Sequence, residues 1–484
     1  MVMIMNNRTD QQPQIIREIA YLEAFARKGK LISHPFVRNS LYRLSMAWDK
    51  QLAGMLHSYL VTYFDGSALF DNVFDAPKLG DLDGELYLGE VIGNEGLIFQ
   101  YDVEKLPMHV LATGTSGCGK TNFSKKLIEQ AYDAGIPSIK ISDPKSEYED
   151  IAKKYPDFFL FRWNELRFNP LTPPPNVPER EWDQTIVGHM AQSFNFWEGA
   201  QSLFLKLIST QRQKGKCPTF FDLLDAVNNY KHKFYYKDLV TMSTVASRLE
   251  LITHALGDMV SANTDMLPYL NTKHYILQTS GLMSEMESWL LEFLLIWEFY
   301  YRLFNPTDQE LTLHVYDECQ HRLFNSEKER NVKKIGSSMI SMLVDEARSL
   351  NIGIVALSQE PSELIKGVLN NSYLKLVFHL GSGTEIKTMS SAMGLDSEQE
   401  KALHHLETGE AIIRMAGGFT EAFPAQIHLF EDVDIGNAQG FRVKQEQMKK
   451  DLYKDCDIQS GEQAGESSGT RSDEEFEEDY DVFN

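Results

Sequence analysis

The stretch that most limits what this chain can fold into is Gly114-Thr-Ser-Gly-Cys-Gly-Lys120-Thr121, which fits the pattern G-x-x-x-x-G-K-[ST]. Its glycines let successive backbone N–H groups turn inward around phosphate oxygens, where a Cβ would obstruct them. In this reading Gly114, Thr115, Ser116, Gly117, Cys118 and Gly119 form a phosphate cradle, and Asn122 completes the binding segment. Lys120 would carry its ammonium to the β- and γ-phosphates of ATP, and the Thr121 hydroxyl would complete the shell of a Mg2+ ion. A glycine-rich turn that happens to contain Lys and Thr is the competing explanation. At average residue frequencies a chain of this length shows the pattern by chance roughly once in 70, so context has to decide.

The context agrees on both sides. The apolar run MHVLATG precedes the loop and the amphipathic stretch NFSKKLIEQAYDAG follows it, so a helix N-terminus faces the same anion. From Met108 to about Phe430 this alternation continues: IPSIKISD, HYILQTSGL, LTLHVYDE, NIGIVALSQ and YLKLVFHL are short, apolar and rich in branched residues, and helical stretches separate them. Such strands predict an α/β fold with a mostly parallel sheet covered by helices on both faces.

A phosphate loop that hydrolyses needs a carboxylate on a second strand. LTLHVYDE supplies Asp317 at the strand's C-terminal end, where parallel sheets bind ligands, as the magnesium ligand. Its neighbour Glu318 is placed to act as general base on water. A strand end whose carboxylates simply face solvent is the plainer alternative.

Length and charge set further bounds. At 484 residues the chain suggests one large domain with additions, or two to three domains. Its net charge is −22, of which −9 falls between Asp457 and Asn484. An acidic exterior repels phosphodiester backbone, so nucleic acid would have to meet a local basic lining. The division predicted is a helical N-terminal region over 1–80, a short β segment over 81–107 with a hairpin at Gly93-Asn-Glu-Gly96, and an ATPase core over 108–432. A helical insertion occupies about 173–267 of that core, and an acidic, largely disordered tail follows over 433–484. Cys118, Cys217, Cys319 and Cys456 form no C-x-x-C pair, which fits free thiols and a cytoplasmic setting. No signal peptide is visible, and the apolar stretch from Ser288 to Phe304 carries Glu292, Glu298 and Arg302, so it reads as a core helix and no membrane is expected.

With these residues in view the chain resembles the HerA/FtsK superfamily of ring-forming ATPases, and within it the HerA-like branch, from about Tyr87 to Ile427. The matching stretches are the phosphate loop, Asp143-Pro-Lys-Ser-Glu-Tyr148, Arg167-Phe-Asn-Pro-Leu171, Tyr316-Asp-Glu318, Glu346-Ala-Arg-Ser-Leu-Asn-Ile-Gly353, Ala356-Leu-Ser-Gln359-Glu-Pro and Leu406-Glu-Thr-Gly-Glu-Ala-Ile-Ile-Arg414. The resemblance implies a RecA-like sheet, with Gln359 as the polar sensor at the end of a strand between those of the loop and Asp317. It also implies that Arg348 is the arginine finger reaching across a subunit boundary, with Arg414 in reserve. Lys145 and Glu147 could touch the nucleotide or a neighbouring subunit, or belong to a solvated turn. The chain departs from HerA proteins in having only a short β segment, after a helical region, where they carry a small barrel.

Two functions follow from the resemblance. One is a homo-oligomer, read as a hexamer, that threads DNA through its pore, working with a nuclease or other effector in DNA end processing or antiphage defence. Lys214, Lys216, Lys328, Arg330, Lys333 and Lys334 are its candidate phosphate contacts, with a solvated helix face the plainer reading of each run. The other is a nucleotide-controlled scaffold that binds and regulates a partner enzyme. A GTPase would need N-K-x-D, which is missing, and a terminase would need a nuclease domain that the segment after Asp432 is too short to fold.

Overall fold

The computed structural model describes residues 19–20, 22–23, 35–46, 49–75, 77–78, 80–94, 96–215, 217–230, 236–261, 265–307, 310–321, 323–324, 339–432 and 438–456. Its strands in chain order are β1 (Leu86–Val91), β2 (Ile98–Tyr101), β3 (Val110–Thr113), β4 (Ser138–Asp143), β5 (Phe159–Arg162), β6 (Tyr275–Gln278), β7 (Thr312–Tyr316), β8 (Ile352–Ser358), β9 (Leu374–Val377), β10 (Glu410–Met415) and β11 (Phe423–Ile427). The chain divides into two compact units. The first comprises residues 1–134, 357–364 and 369–430, and the second 135–356, 365–368 and 431–484.

In the second unit the strand order is β8-β7-β4-β6-β5, and every ladder is parallel. β4, β7 and β8 are buried at every position, as strands covered on both faces must be, and this is why they read as unbroken apolar runs. In the first unit the order is β2-β1-β11-β10-β9-β3. There β3 pairs parallel with β9, whereas β9–β10, β10–β11, β11–β1 and the β1–β2 hairpin are antiparallel. The antiparallel extension is the main addition to the parallel sheet expected from the sequence.

Helices fill the remaining layers. In the first unit Pro35–Met46 and Lys50–Val73 pack on each other through Val37, Leu44, Leu56 and Leu60, each 1% exposed or less. In the second unit Glu179–Phe194, Glu198–Arg212, Phe220–Asn228 and Tyr236–Leu256 form the block that follows the Pro173-Pro-Pro175 turn. The helix Ser284–Phe304 is buried along nearly its whole length, and among the described residues no helix is long and apolar enough to cross a membrane.

That buried helix carries charge into the core of the second unit. Glu298 accepts from Lys140 Nζ, from Arg302 Nε at 3.0 Å and from His314 Nε2 at 2.7 Å, and all four residues are buried. Burial pushes the Glu298 carboxyl up, but Lys140, His314 and Arg302 outweigh it and hold it well below the usual range. Burial likewise lowers Lys140 and His314, against the pull of Glu298. Arg302 also donates to the backbone oxygens of Glu310 at 2.6 Å and Leu350 at 3.2 Å, tying this helix to the entries of β7 and β8.

At the far edge of the same unit the helix Ala438–Asp455 lies against β5. Gln445 accepts from Leu160 N at 2.9 Å through its Oε1 and donates from Nε2 to Phe158 O at 2.8 Å, so one carboxamide satisfies the edge that a further strand would pair with. Lys449 pairs with Glu165, and Tyr453 Oη donates to Glu165 O at 2.6 Å.

Candidate nucleotide site

The phosphate loop lies wholly within the first unit. β3 ends at Thr113, and the helix Lys120–Asp133 begins seven residues later. Gly117 and Gly119 take φ of 77° and 117°, left-handed values that an L side chain resists. A Cβ on Gly114 would lie 2.6 Å from Cys118 Sγ and 2.8 Å from Phe378 Cβ, so that position is closed to any larger residue. Gly114 N donates to Ser358 O at 3.1 Å, and Thr115 N to His379 O at 2.9 Å. These bonds hang the loop from the ends of β8 and β9.

Lys120 is 6% exposed, and its Nζ donates to Gly114 O at 2.7 Å and Thr115 O at 2.8 Å, so the ammonium is curled into the loop. Ser116 and Gly117 are exposed at the crest, and Thr121 is half-buried at the helix start. Burial pushes the Cys118 thiol up, with Lys120 opposing. Asn122 turns toward the chain itself: Nδ2 donates to His428 O and Oδ1 accepts from Phe430 N, both at 2.9 Å. Its carboxamide therefore pins the segment after β11 to the loop helix. A glycine-built cradle at a helix N-terminus, with a buried lysine folded into it, fits a nucleotide's phosphates.

Gln359 belongs to the same unit, directly after β8, and is half-buried. The turn that carries it is clamped: Glu385 accepts from Ser362 N at 2.8 Å and from Ser362 Oγ at 2.6 Å. Glu385 stands in the first turn of the helix Gly383–Met393. Arg414 serves the other end of that helix, donating to the carbonyls of Met393 and Gly394.

Asp317, Glu318 and Arg348 fall in the second unit. Asp317 follows β7 directly and is 5% exposed; its Oδ1 accepts from Glu318 N at 2.9 Å, and Tyr148 Oη donates to its Oδ2 at 3.5 Å. Glu318 takes a left-handed φ of 50°, and its carboxylate pairs with Lys145 Nζ. Lys145 sits in the turn after β4, where Asp143 accepts from Glu147 N at 2.8 Å and Tyr148 N at 3.0 Å. Asp143 is fully buried, and burial raises its carboxyl in spite of those bonds. Arg348 is exposed, in a 3-10 turn between the helix Met339–Ala347 and β8. Of the candidate basic contacts, Lys214 bonds Gln211 Oε1 at 2.9 Å, while Lys216, Lys328, Arg330, Lys333 and Lys334 lie outside the described residues.

Three features escaped sequence reasoning. One is Gly409, whose N donates to Cys118 O at 2.9 Å beneath the loop. A Cβ on Gly119 would come within 3.2 Å of Gly409 Cα, so two glycines separated by nearly the whole core permit the approach. The others are the Glu385 clamp and the Lys145–Glu318 pair. Gly409 left a signal, a lone glycine ahead of an apolar run, and Lys145 stands in the Asp143–Tyr148 stretch, but nothing in the sequence joins it to Glu318.

The loop and the sheet that bears it define a P-loop NTPase. The family model described as helicase HerA, central domain, matches residues 86–279, a stretch that contains the phosphate loop. Among solved structures the chain is similar to VirB4 of Thermoanaerobacter pseudethanolicus, with 16% identity and a TM-score of 0.55 over 72% of this chain and 97% of that one. It is similar to the bacterial conjugative coupling protein TrwBdeltaN70, at 13% identity and a TM-score of 0.52 over 72% and 91%. The plasmid coupling protein TrwB in complex with ADP and Mg2+ matches at 12% identity and a TM-score of 0.52, over 76% and 93%. No curated protein matches the sequence.

Proposed function

We propose that this chain is an ATP-hydrolysing, ring-forming DNA translocase of the HerA type. The observation that carries the reading is the cradle of Gly114 to Thr121, with Lys120 buried within it at a helix start. TrwB, of like fold, is described in complex with ADP and Mg2+. Lys120 and the loop amides would bind the β- and γ-phosphates of ATP; Thr121 and Asp317, nominated by their sequence motifs, would each be a ligand of Mg2+, which would supply charge neutralisation at the phosphates. Glu318 accepts the proton of the attacking water, and ADP leaves with the electrons of the broken P–O bond. Gln359 orients that water without adding charge. Arg348, exposed on a 3-10 turn, is the residue that would reach a neighbouring copy, which requires a ring, read as a hexamer.

The DNA substrate, a nuclease or other effector partner, and a setting in end processing or antiphage defence rest on the HerA resemblance. A second reading, a nucleotide-controlled scaffold for an effector, draws on the N-terminal helices, where Tyr42, Met46 and Met55 are 63%, 68% and 55% exposed. Purified protein should hydrolyse ATP faster with duplex DNA, form closed rings with ATP by mass measurement, and lose about a hundredfold in turnover on Glu318→Gln. Persistent monomers, or intact turnover in that variant, would defeat the motor; turnover indifferent to DNA but raised by an effector would favour the scaffold.

A further inference from the structure

The pair between Lys145 and Glu318 joins two turns, each held by an aspartate that accepts from backbone N–H groups. Asp143 caps the turn that carries Lys145, and Ser146 in that turn has a φ of 61°. Glu318 is set by its own left-handed φ and by the bond from its N to Asp317 Oδ1. The Lys145 side chain is 41% exposed, whereas that of Glu318 is 15% exposed. The carboxylate is thus held in place, and the ammonium has room to leave it. Glu318, Asp317 and Glu147 all raise the Lys145 pKa, Glu318 most of all through its hydrogen bond, so the lysine stays charged at neutral pH.

We propose that Lys145 is a positioning residue for Glu318, keeping its carboxylate paired until a phosphate oxyanion draws the ammonium away and frees the lone pairs for water. This rests on the reading of Glu318 as general base. A carboxylate whose oxygen is taken by an ammonium has less capacity to accept a proton from water, and an ion pair with so exposed a partner parts at little cost. The oxyanion comes either from a nucleic-acid backbone or from the nucleotide, and both present the same chemistry to Lys145.

The tests read binding and turnover separately. By reciprocity, if releasing Glu318 accompanies phosphate capture, then removing the Glu318 charge tightens that capture. Glu318→Gln should therefore bind either a labelled duplex or a fluorescent non-hydrolysable ATP analogue about two- to fivefold more tightly, the worth of an exposed ion pair. The arm that responds identifies the source, and adding Lys145→Ala should erase the gain. In turnover, Lys145→Ala and Lys145→Gln should raise basal hydrolysis several-fold and shrink stimulation by duplex, while Lys145→Arg keeps both near wild type. Unchanged affinity in both arms for Glu318→Gln, or basal turnover at or below wild type in both neutral variants, overturns the proposal. Full hydrolysis by Glu318→Gln would instead remove the general-base assignment, a failure the binding arms do not share.

Discussion

Gly409 N donates to Cys118 O across 2.9 Å, so the turn that opens β10 forms the floor of the phosphate loop. Gly409 has a φ of 86°, and a Cβ there would lie 2.6 Å from Gln426 Nε2. Gly409→Val should therefore displace the floor and cost at least about tenfold in affinity for an ATP analogue, since left-handed strain alone is worth roughly 1–2 kcal/mol. Titration with a fluorescent analogue reads this, with circular dichroism to show retained secondary structure. Wild-type affinity in a folded variant would mean that the contact is incidental.

The two candidate arginines make opposite predictions. Arg414 is committed to the end of the helix Gly383–Met393, so Arg414→Ala should lower the melting temperature and spare turnover. Arg348 is exposed, and Arg348→Ala should cut turnover about a thousandfold while nucleotide affinity stays near wild type. Mixing Arg348→Ala with Lys120→Ala should restore activity, because some interfaces then combine a sound loop with a sound arginine. A mixture as inactive as its parts would show that Arg348 does not act in trans.

Glu298 is the sole carboxylate that Lys140, Arg302 and His314 share in the structure described. Glu298→Ala leaves two cations buried without it and should destabilise the second unit by about 3–5 kcal/mol. Denaturant unfolding measures this. A loss under about 1 kcal/mol would mean that solvent reaches the cluster.

Lys375 is 7% exposed, and burial, with Arg414 second, lowers its ammonium to about 8. An unfolded lysine titrates near 10.4. Below pH 8 both states are protonated and the burial cost is present in full. Between pH 8 and about 10.4 the folded state releases its proton while the unfolded state keeps it, so stability rises with pH. The gain should reach up to about 3 kcal/mol relative to Lys375→Met over the same window. Parallel pH slopes for the two proteins would refute the shift.

The parallel strands were legible because burial on both faces leaves an unbroken apolar run, as in IVALS of β8 and TLHVY of β7. β10 and β11 are harder: EAIIRM is short and closes on a charged residue and Met, and Pro424 interrupts the apolar pattern of FPAQI. The loop was plain for a local reason, since Gly114, Gly117 and Gly119 lie close together in sequence as they do in space. The Glu385 clamp and the Lys145–Glu318 pairing were not, because each joins partners across many residues of chain and carries no periodicity. The sheet's ends and its remote side-chain contacts depend on tertiary structure that no window of neighbouring residues contains.

Gln445 mimics a missing strand with a single amide, taking the Leu160 N–H of β5 and the carbonyl of Phe158 just before it. Its burial also makes that protection removable in one piece, since the neighbouring anchors Lys449 and Tyr453 stand on the same helix. Were that helix peeled off or clipped, the bared border would offer the unpaired groups that seed sheet growth between molecules, and fibre formation would begin there.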